Sequence, residues 1–378
     1  MDASTQTLVI SGYYGFRNSG DEAVLKSILT ALQEQGEAAG VHIEPVVLSI
    51  DPEWTTSMYG VKSVHRMKLG EVRQALKDSD GLISGGGSLL QDVTGAKTIP
   101  YYLGILKLAQ WLRKPTFIYS QGIGPVNRKL FNPMIRSVFR KSAYISVRDS
   151  QSAELLAKMG LDPAVIQVVP DPVMGLPLPA ADRQSPVDRI FSDGELPVVG
   201  ISVRYWDSQK RELDAIADGL RQLAGQKPVH LRLLPFHQPD DSEASRYVMD
   251  RIGDITGTGS QVSIVEDAVD PQQMLLEVSR CSVIIGMRLH SLIYGVSQYV
   301  PPVGISYDPK IDQFLKRIHT EPVGSTAALS GERLAAETQR LIEQRESWHA
   351  SHEAAITALK QEAQAPARHI IDYLIRKG

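Results

Sequence analysis

A chain of 378 residues, 43% hydrophobic and 22% charged, carries enough apolar material for two soluble cores of roughly 100–200 residues each. Its formal charge of −3 gives no electrostatic reason to expect nucleic acid, and no apolar run of about 18 residues is present to span a membrane. The one cysteine, Cys281, excludes an intrachain disulfide, and the amino end lacks the basic-then-apolar pattern of a secretion signal, so the expected location is cytoplasmic.

Residues 7–11 read as a buried strand that runs into a glycine-bearing turn, Gly12 to Glu22. A helix is expected over 21–35, because Val24, Leu25, Ile28 and Leu32 fall on one face. Asn18, Ser19 or Gly20 could cap it, and Asp21 and Glu22 suit the positive end of its dipole. The turn is neither Gly-x-Gly-x-x-Gly nor a Walker loop, and its acids compete with phosphate. A sugar or hydroxyl contact is therefore expected there; a helix that merely caps itself reads equally well.

Further strands are expected at 43–48, 81–84, 116–119, 143–147 and 165–169. Helices are expected at 72–76, at 101–112, and from a cap at Ser150 or Ser152 to Met159. The strand at 81–84 ends in Gly85-Gly86-Gly87-Ser88. Three glycines let a ligand approach the backbone, and free N–H groups there form a nest, although close helix packing calls for the same glycines. Asp78-Ser79-Asp80 precedes a strand and reads as a solvated turn. The apolar helix at 101–112 reads as a buried crossover.

A proline-rich, aperiodic stretch follows Asp171 and is read as a linker. A second alternation then begins. Strands at 198–203, 229–234 and 262–265 end at Arg204, at His237 and at Glu266-Asp267. The β-branched run at 283–285 stops at Gly286; Leu292, Ile293 and Val296 follow at helical spacing, so a helix starts near Arg288. Cys281, just ahead of that run, reads as a small buried hydrophobe. Residues 303–306 are followed by Lys310. The tail from about 332 reads as helices, and its last part is amphipathic and ends basic, suiting either a membrane surface or docking onto the first domain. The fold class expected is α/β: two Rossmann-like doubly wound domains facing a cleft. The domains are 1–175, a linker 176–197, 198–330, and helices 331–378 packing back on the first domain.

Parallel sheets bring their strand ends to one edge, where α/β proteins bind ligands. Two such domains facing each other would make a cleft lined by Arg148, Arg204, Arg288 and Lys310, with His237 and His290. Desolvating several cations without an anion is costly, so a small, multiply anionic substrate is expected. Charged hydrogen bonds to it would contribute roughly 1.5–3 kcal/mol each. The competing reading is a salt-bridge network with Asp149, Glu266 and Asp308.

Five motifs in order, Gly-Tyr-Tyr-Gly-Phe-Arg-Asn-Ser-Gly-Asp-Glu at 12–22, Ser-Gly-Gly-Gly-Ser-Leu-Leu-Gln-Asp at 84–92, Ser-Gln-Gly-Ile-Gly-Pro at 120–125, Arg-Asp at 148–149 and Gly-Met-Arg-Leu-His-Ser at 286–291, resemble the polysaccharide pyruvyl transferase family. Within it the chain most resembles the bacterial cell-wall type. The resemblance implies a glycosyltransferase-B-like fold and a ketal-forming pyruvyl transfer. The donor is phosphoenolpyruvate, with no other cofactor and no metal. The acceptor is N-acetylmannosamine of a lipid-linked saccharide at the inner membrane face, a step in surface-layer protein anchoring. The implied roles are His290 as general acid, Asp21 as a base on a sugar hydroxyl, and Arg148, Arg204, Arg288 and Lys310 as donor ligands. Gly85, Gly86, Gly87 and Ser88 would shape the acceptor side; His237 is the reserve acid or an acceptor ligand. Two rivals stay open: a nucleotide-sugar glycosyltransferase of the same architecture, and a non-catalytic polysaccharide-binding protein. The oligomeric state is not set by the sequence.

Overall fold

The computed structural model describes residues 4–93, 95, 97–183, 196–266 and 268–377; residues 184–195 of the expected linker, and Asp267, lie outside the described residues. The chain forms two units, Met1–Leu176 with Leu359–Gly378, and Pro177–Ala358.

In the first unit the chain alternates through β1 (Ser4–Tyr14), α1 (Ser19–Ala39), β2 (Val41–Ser49), α2 (Pro52–Tyr59), β3 (Lys62–His65), α3 (Leu69–Asp78), β4 (Gly81–Gly85), α4 (Thr98–Trp111), β5 (Thr116–Gln121), α5 (Phe131–Phe139), β6 (Tyr144–Val147), α6 (Ser150–Lys158) and β7 (Ile166–Val168). The strands pair in parallel in the order β3-β2-β1-β4-β5-β6-β7. Leu8, Val9 and Ile10 of β1 are fully buried, as a strand covered by helices on both faces must be. The Asn18 side chain caps α1 by accepting from Gly20 N–H at 3.1 Å, and Gly40, at φ 70°, ends it beyond the expected Gln35.

Several local expectations are corrected. Asp149, not a serine, caps α6: its carboxylate accepts from Ser152 N–H at 2.7 Å, while the Ser152 hydroxyl accepts from Ile123 N–H. The Asp78-Ser79-Asp80 turn is not wholly solvated, since Ser79 is buried and Asp80 accepts from Thr7 N–H at 2.8 Å. Asp171, Val173, Met174 and Leu176, at the head of the proline-rich stretch, are buried in the first unit. Elements α2, β3 and α5 are too short for periodicity to single out.

The second unit repeats the pattern: β8 (Val198–Ser202), α7 (Arg211–Gln226), β9 (His230–Leu233), α8 (Asp240–Ile252), β10 (Gln261–Ile264), α9 (Pro271–Ser279), β11 (Val283–Gly286), α10 (Leu289–Ser297), β12 (Pro302–Ser306), α11 (Pro309–Arg317), β13 (Gly324–Ser325) and α12 (Gly331–Glu343), followed by α13 (Arg345–Ala363) and α14 (Ala365–Lys377). Its parallel order is β10-β9-β8-β11-β12-β13, the same winding as the first sheet. Cys281 is buried, and burial pushes its thiol up to about 12, leaving it a packing group.

The tail divides between the units. Helix α12 packs on α7, where the glycines at 219 and 331 meet so closely that a Cβ on Gly219 would lie 2.6 Å from the Gly331 carbonyl. Helix α14 packs on α1, β5 and β6 and buries Ala367, Ile370, Ile371 and Leu374. Among the described residues no helix is long and apolar enough to cross a membrane.

Candidate functional site

Each sheet reverses its strand order once, between β1 and β4 and between β8 and β11, and loops beyond the carboxyl ends at such points hold ligands in open α/β sheets. In the first unit the loop after β1 holds Gly15 at φ 81° and Arg17 at φ 58°. A non-glycine residue there costs about 1–3 kcal/mol and needs support. Glu22 supplies it: its carboxylate accepts from Gly15 N–H and from the Tyr59 hydroxyl, each at 2.9 Å. Burial pushes the Glu22 carboxyl up to about 7, against the pull of the bonds from Tyr59 and Gly15.

The glycine triplet after β4 answers mainly to helix α1. A Cβ on Gly86, at φ 66°, would lie 1.8 Å from Val24 Cγ1, and one on Gly85 2.7 Å from Ile28 Cδ1. At Gly87 the near atom is Asp21 Oδ1, 2.7 Å from that same construction, so Asp21 and the triplet do meet. The loops after β4 and β5 are zipped together by Gly122 N–H to the Gly87 carbonyl at 2.9 Å and Gly124 N–H to Leu90 at 2.8 Å. Asp92 clamps the same pair by accepting from Asn127 N–H and Arg128 N–H, which holds its carboxyl below the usual range. Arg148, only 9% exposed, donates to Ser88 Oγ at 2.8 Å and to Asp171 Oδ2 at 3.1 Å. A buried carboxylate thus meets the charge that the sequence reading left for a substrate.

Beside this loop stands an aromatic group that periodicity does not disclose. Tyr13 and Phe16 stack with centroids 3.8 Å apart and remain 40% and 37% exposed. Behind them Arg66 is buried; its guanidinium donates to the Gly12 carbonyl at 2.8 Å and the Tyr102 hydroxyl at 3.1 Å, and lies 4.5 Å from the Tyr101 ring centroid. Cation–π attraction fixes the pair in place. Phe16 also borders a cavity of about 710 Å³ past the ends of β2 and β3, with Arg17, Asp51, His65, Lys68 and Glu71 around it. Its ion pairs, Arg17–Asp51 at 3.4 Å and Lys68–Glu71 at 2.9 Å, are exposed and contribute about 0–1 kcal/mol, so a hydroxyl can replace either.

In the second unit the predicted residues gather along neighbouring strand ends. Arg204 follows β8, His290 lies in the first turn of α10 after β11, and Lys310 in the first turn of α11 after β12. Arg204 donates to the Tyr307 hydroxyl at 3.1 Å and lies within 5.6 Å of the ring centroids of both Trp206 and Tyr307, which pack on each other. No side chain caps α10, so its first N–H groups and dipole point to whatever binds there. Arg288, the residue before α10, is held by the fully buried Asp241: its Nε donates to Oδ2 at 2.6 Å. Asp241 also accepts from His237 N–H at 3.0 Å, which sets His237 beside Arg288.

Arg148 and Arg288 have internal carboxylates, and neither Asp171 nor Asp241 was foreseen: one sits in the proline-rich stretch, the other among ordinary first-turn acids of α8. Ion pairs of the kind the rival reading expects do form: Arg148 with the expected Asp149 and with Asp171, and Arg288 with Asp241. Of its expected acids, Asp149 lies 3.9 Å from Arg148, Glu266 pairs with Arg246 and Asp308 caps α11.

Residues 18–309 match the family model described as polysaccharide pyruvyl transferase. The chain is similar to the amylovoran biosynthesis protein AmsJ of Erwinia amylovora, 23% identical over 281 residues, 66% of this chain; the match spans 62% of that protein's length. Among solved structures it is similar in fold to a glycosyltransferase from Rickettsia africae (TM-score 0.64, 11% identity, all of both chains covered). It is similar as well to Anabaena HepE in complex with UDP and glucose (TM-score 0.61, 13% identity, 99% and 100% covered). A third is a putative UDP-N-acetylglucosamine 2-epimerase from Listeria monocytogenes (TM-score 0.62, 11% identity, 92% and 91% covered). These likenesses establish the fold: two parallel-sheet α/β domains of the glycosyltransferase B kind.

Proposed function

The chain belongs to the polysaccharide pyruvyl transferase family, and from that premise we propose that it moves pyruvate from phosphoenolpyruvate onto a sugar as a ketal. The acceptor we assign is N-acetylmannosamine of a lipid-linked cell-wall precursor, used at the inner membrane face and later serving to hold surface-layer proteins. Carbon 3, the methylene of phosphoenolpyruvate, must gain a proton, while carbon 2 accepts two sugar hydroxyl oxygens and loses phosphate, which carries off the second hydroxyl proton. In this reading His290 delivers the proton. Arg204, Lys310 and the open amino end of α10 take the phosphate and carboxylate, and Arg288, aimed by Asp241, stands next to them. In the first unit Asp21 receives a hydroxyl proton, Arg148 orders Ser88, and the Tyr13–Phe16 stack with its cavity accepts the saccharide's apolar ring faces and hydroxyls. His237 is a ligand beside Arg288.

The observation that carries the reading is the grouping of Arg204, His290 and Lys310 at three adjacent strand ends with an uncapped helix amino end, an arrangement suited to a compact polyanion. Incubation with phosphoenolpyruvate and a synthetic disaccharide of N-acetylmannosamine and N-acetylglucosamine tests it. Phosphate release matched by a pyruvyl mass gain on the saccharide is expected; release without that gain, or neither, sinks it.

One observation favours a second reading, nucleotide-sugar transfer. Trp206, half exposed, packs on Tyr307 beside Arg204 and offers a face on which a base could stack. Tighter binding of UDP-sugars than of phosphoenolpyruvate would decide for it.

A further inference from the structure

From residue 93 to residue 147 the chain carries nine lysines and arginines and no aspartate or glutamate, in a protein whose net charge is −3. The segment holds α4 and α5, which pack against each other and bury Ile99, Leu103, Leu106, Ile135, Val138 and Phe139 in one core cluster. What the two helices leave outside therefore shares the outer face of one layer. That face is apolar as well as basic: Trp111 is 73% exposed and Leu130 62%. Met134 is exposed as well, as are Lys129, Arg136, Arg140 and Lys141, and these four cations make no ion pair among the described residues.

We propose that the outer face of α4 and α5 is the surface by which this protein rests on an anionic lipid bilayer. An exposed tryptophan and leucine among unpaired cations match what a headgroup interface accepts: basic side chains reach lipid phosphates while apolar ones enter the acyl boundary. A nucleic acid would satisfy the cations but give Trp111, Leu130 and Met134 nothing to enter. A second copy of the chain would set two basic faces against each other. The terminal helix α14 ends basic, but Ile370, Ile371 and Leu374 are buried in the first unit and of its large aliphatic side chains only Ile375 is exposed, so it offers lipid much less than the face of α4 and α5. The proposal goes beyond the transfer reaction and stands whether or not that reaction is the right one.

Co-sedimentation of the full chain with vesicles tests it. Binding to phosphatidylglycerol vesicles, lost in high salt and absent with pure phosphatidylcholine, is expected. Each surface cation near an anionic membrane contributes about fivefold to the partition constant, so Arg136→Glu with Arg140→Glu and Lys141→Glu together should lower it by at least about 100-fold. The control Lys377→Glu, at the end of α14, which packs with α1 on the opposite face of the first sheet, should change it by less than the fivefold of one cation at the bilayer. Brominated phosphatidylglycerol should quench tryptophan fluorescence in the wild type and much less in Trp111→Phe, a readout that a fold defect would not mimic when circular dichroism is unchanged. Equal binding to both lipids, no binding to phosphatidylglycerol, undiminished binding of the triple variant, quenching unaltered in Trp111→Phe, or tighter binding of duplex DNA than of the vesicles would each overturn the proposal.

Discussion

The two sheets are wound alike, yet their switch points carry opposite electrostatics. In the first unit the loops carry Asp21, the buried Glu22 and Ser88, and Arg148, which holds Ser88, is already paired with buried Asp171. In the second, Arg204, His290 and Lys310 stand at adjacent strand ends beside an uncapped helix. One winding thus makes one edge suited to hydroxyl-bearing ligands and another suited to anions. The topology decides where a ligand can sit; a few loop side chains decide which kind.

The largest test of that contrast removes the proton donor. His290→Ala should lower turnover at saturating phosphoenolpyruvate by about 10²–10⁴-fold, read as phosphate release; unchanged turnover would end the acid assignment. Next, the arginines of the two edges should fail differently. Arg148→Ala strands Asp171 in the interior and should cost about 3–5 kcal/mol in urea unfolding. Arg204→Ala should leave stability nearly intact and raise the KM for phosphoenolpyruvate by roughly 10–100-fold, the equivalent of one charged hydrogen bond. Were Arg148→Ala to raise that KM as much at full stability, the two edges would not differ as described.

Glu22 supplies a pH test. Its carboxyl ionises near 7 when folded against an ordinary 4.5. A raised folded value means the contribution to stability is full below about pH 4.5 and is lost as pH rises through about 7. Unfolding free energy should therefore fall by about 2–3 kcal/mol between pH 5 and 8 from this group, and Glu22→Gln should flatten that slope. An identical slope in the variant would place the titration elsewhere. The smallest effect concerns the aromatic stack. Phe16→Ala should raise acceptor KM about fivefold to tenfold, as loss of one aromatic contact does, with donor KM unmoved; a shift in donor KM instead would put Phe16 on the wrong edge.

Much of this was legible in the residues themselves. Short β-branched runs alternating with amphipathic helices specify doubly wound sheets, because a buried parallel strand and its crossover helix have different periods. The strand ends at Arg148, Arg204, Arg288 and Lys310 follow from that alternation alone. A cap for α1 among Asn18, Ser19 and Gly20, of which the structure uses Asn18, and Cys281 as a buried packing group are local and equally readable. Partnerships across long separations were not. Asp241 holds Arg288 from 47 residues away, Asp171 reaches Arg148 across 23, and Arg66 meets Gly12 across 54. None has a local pattern, since only the packed sheet brings those loops together.

The sequence by itself determined the class of fold, the order of the strands' chemistry and the basic, acid-free segment around α4 and α5. Tertiary structure alone decided that Arg148 and Arg288 meet buried carboxylates, that the glycine triplet yields room to α1, and that most of the tail's last apolar face is spent on the first unit. The physical reason is the same in each case. Periodicity and capping act over a few residues, whereas desolvation and ion pairing depend on what lies across the fold, and a charge is available to substrate only if no buried carboxylate has met it first.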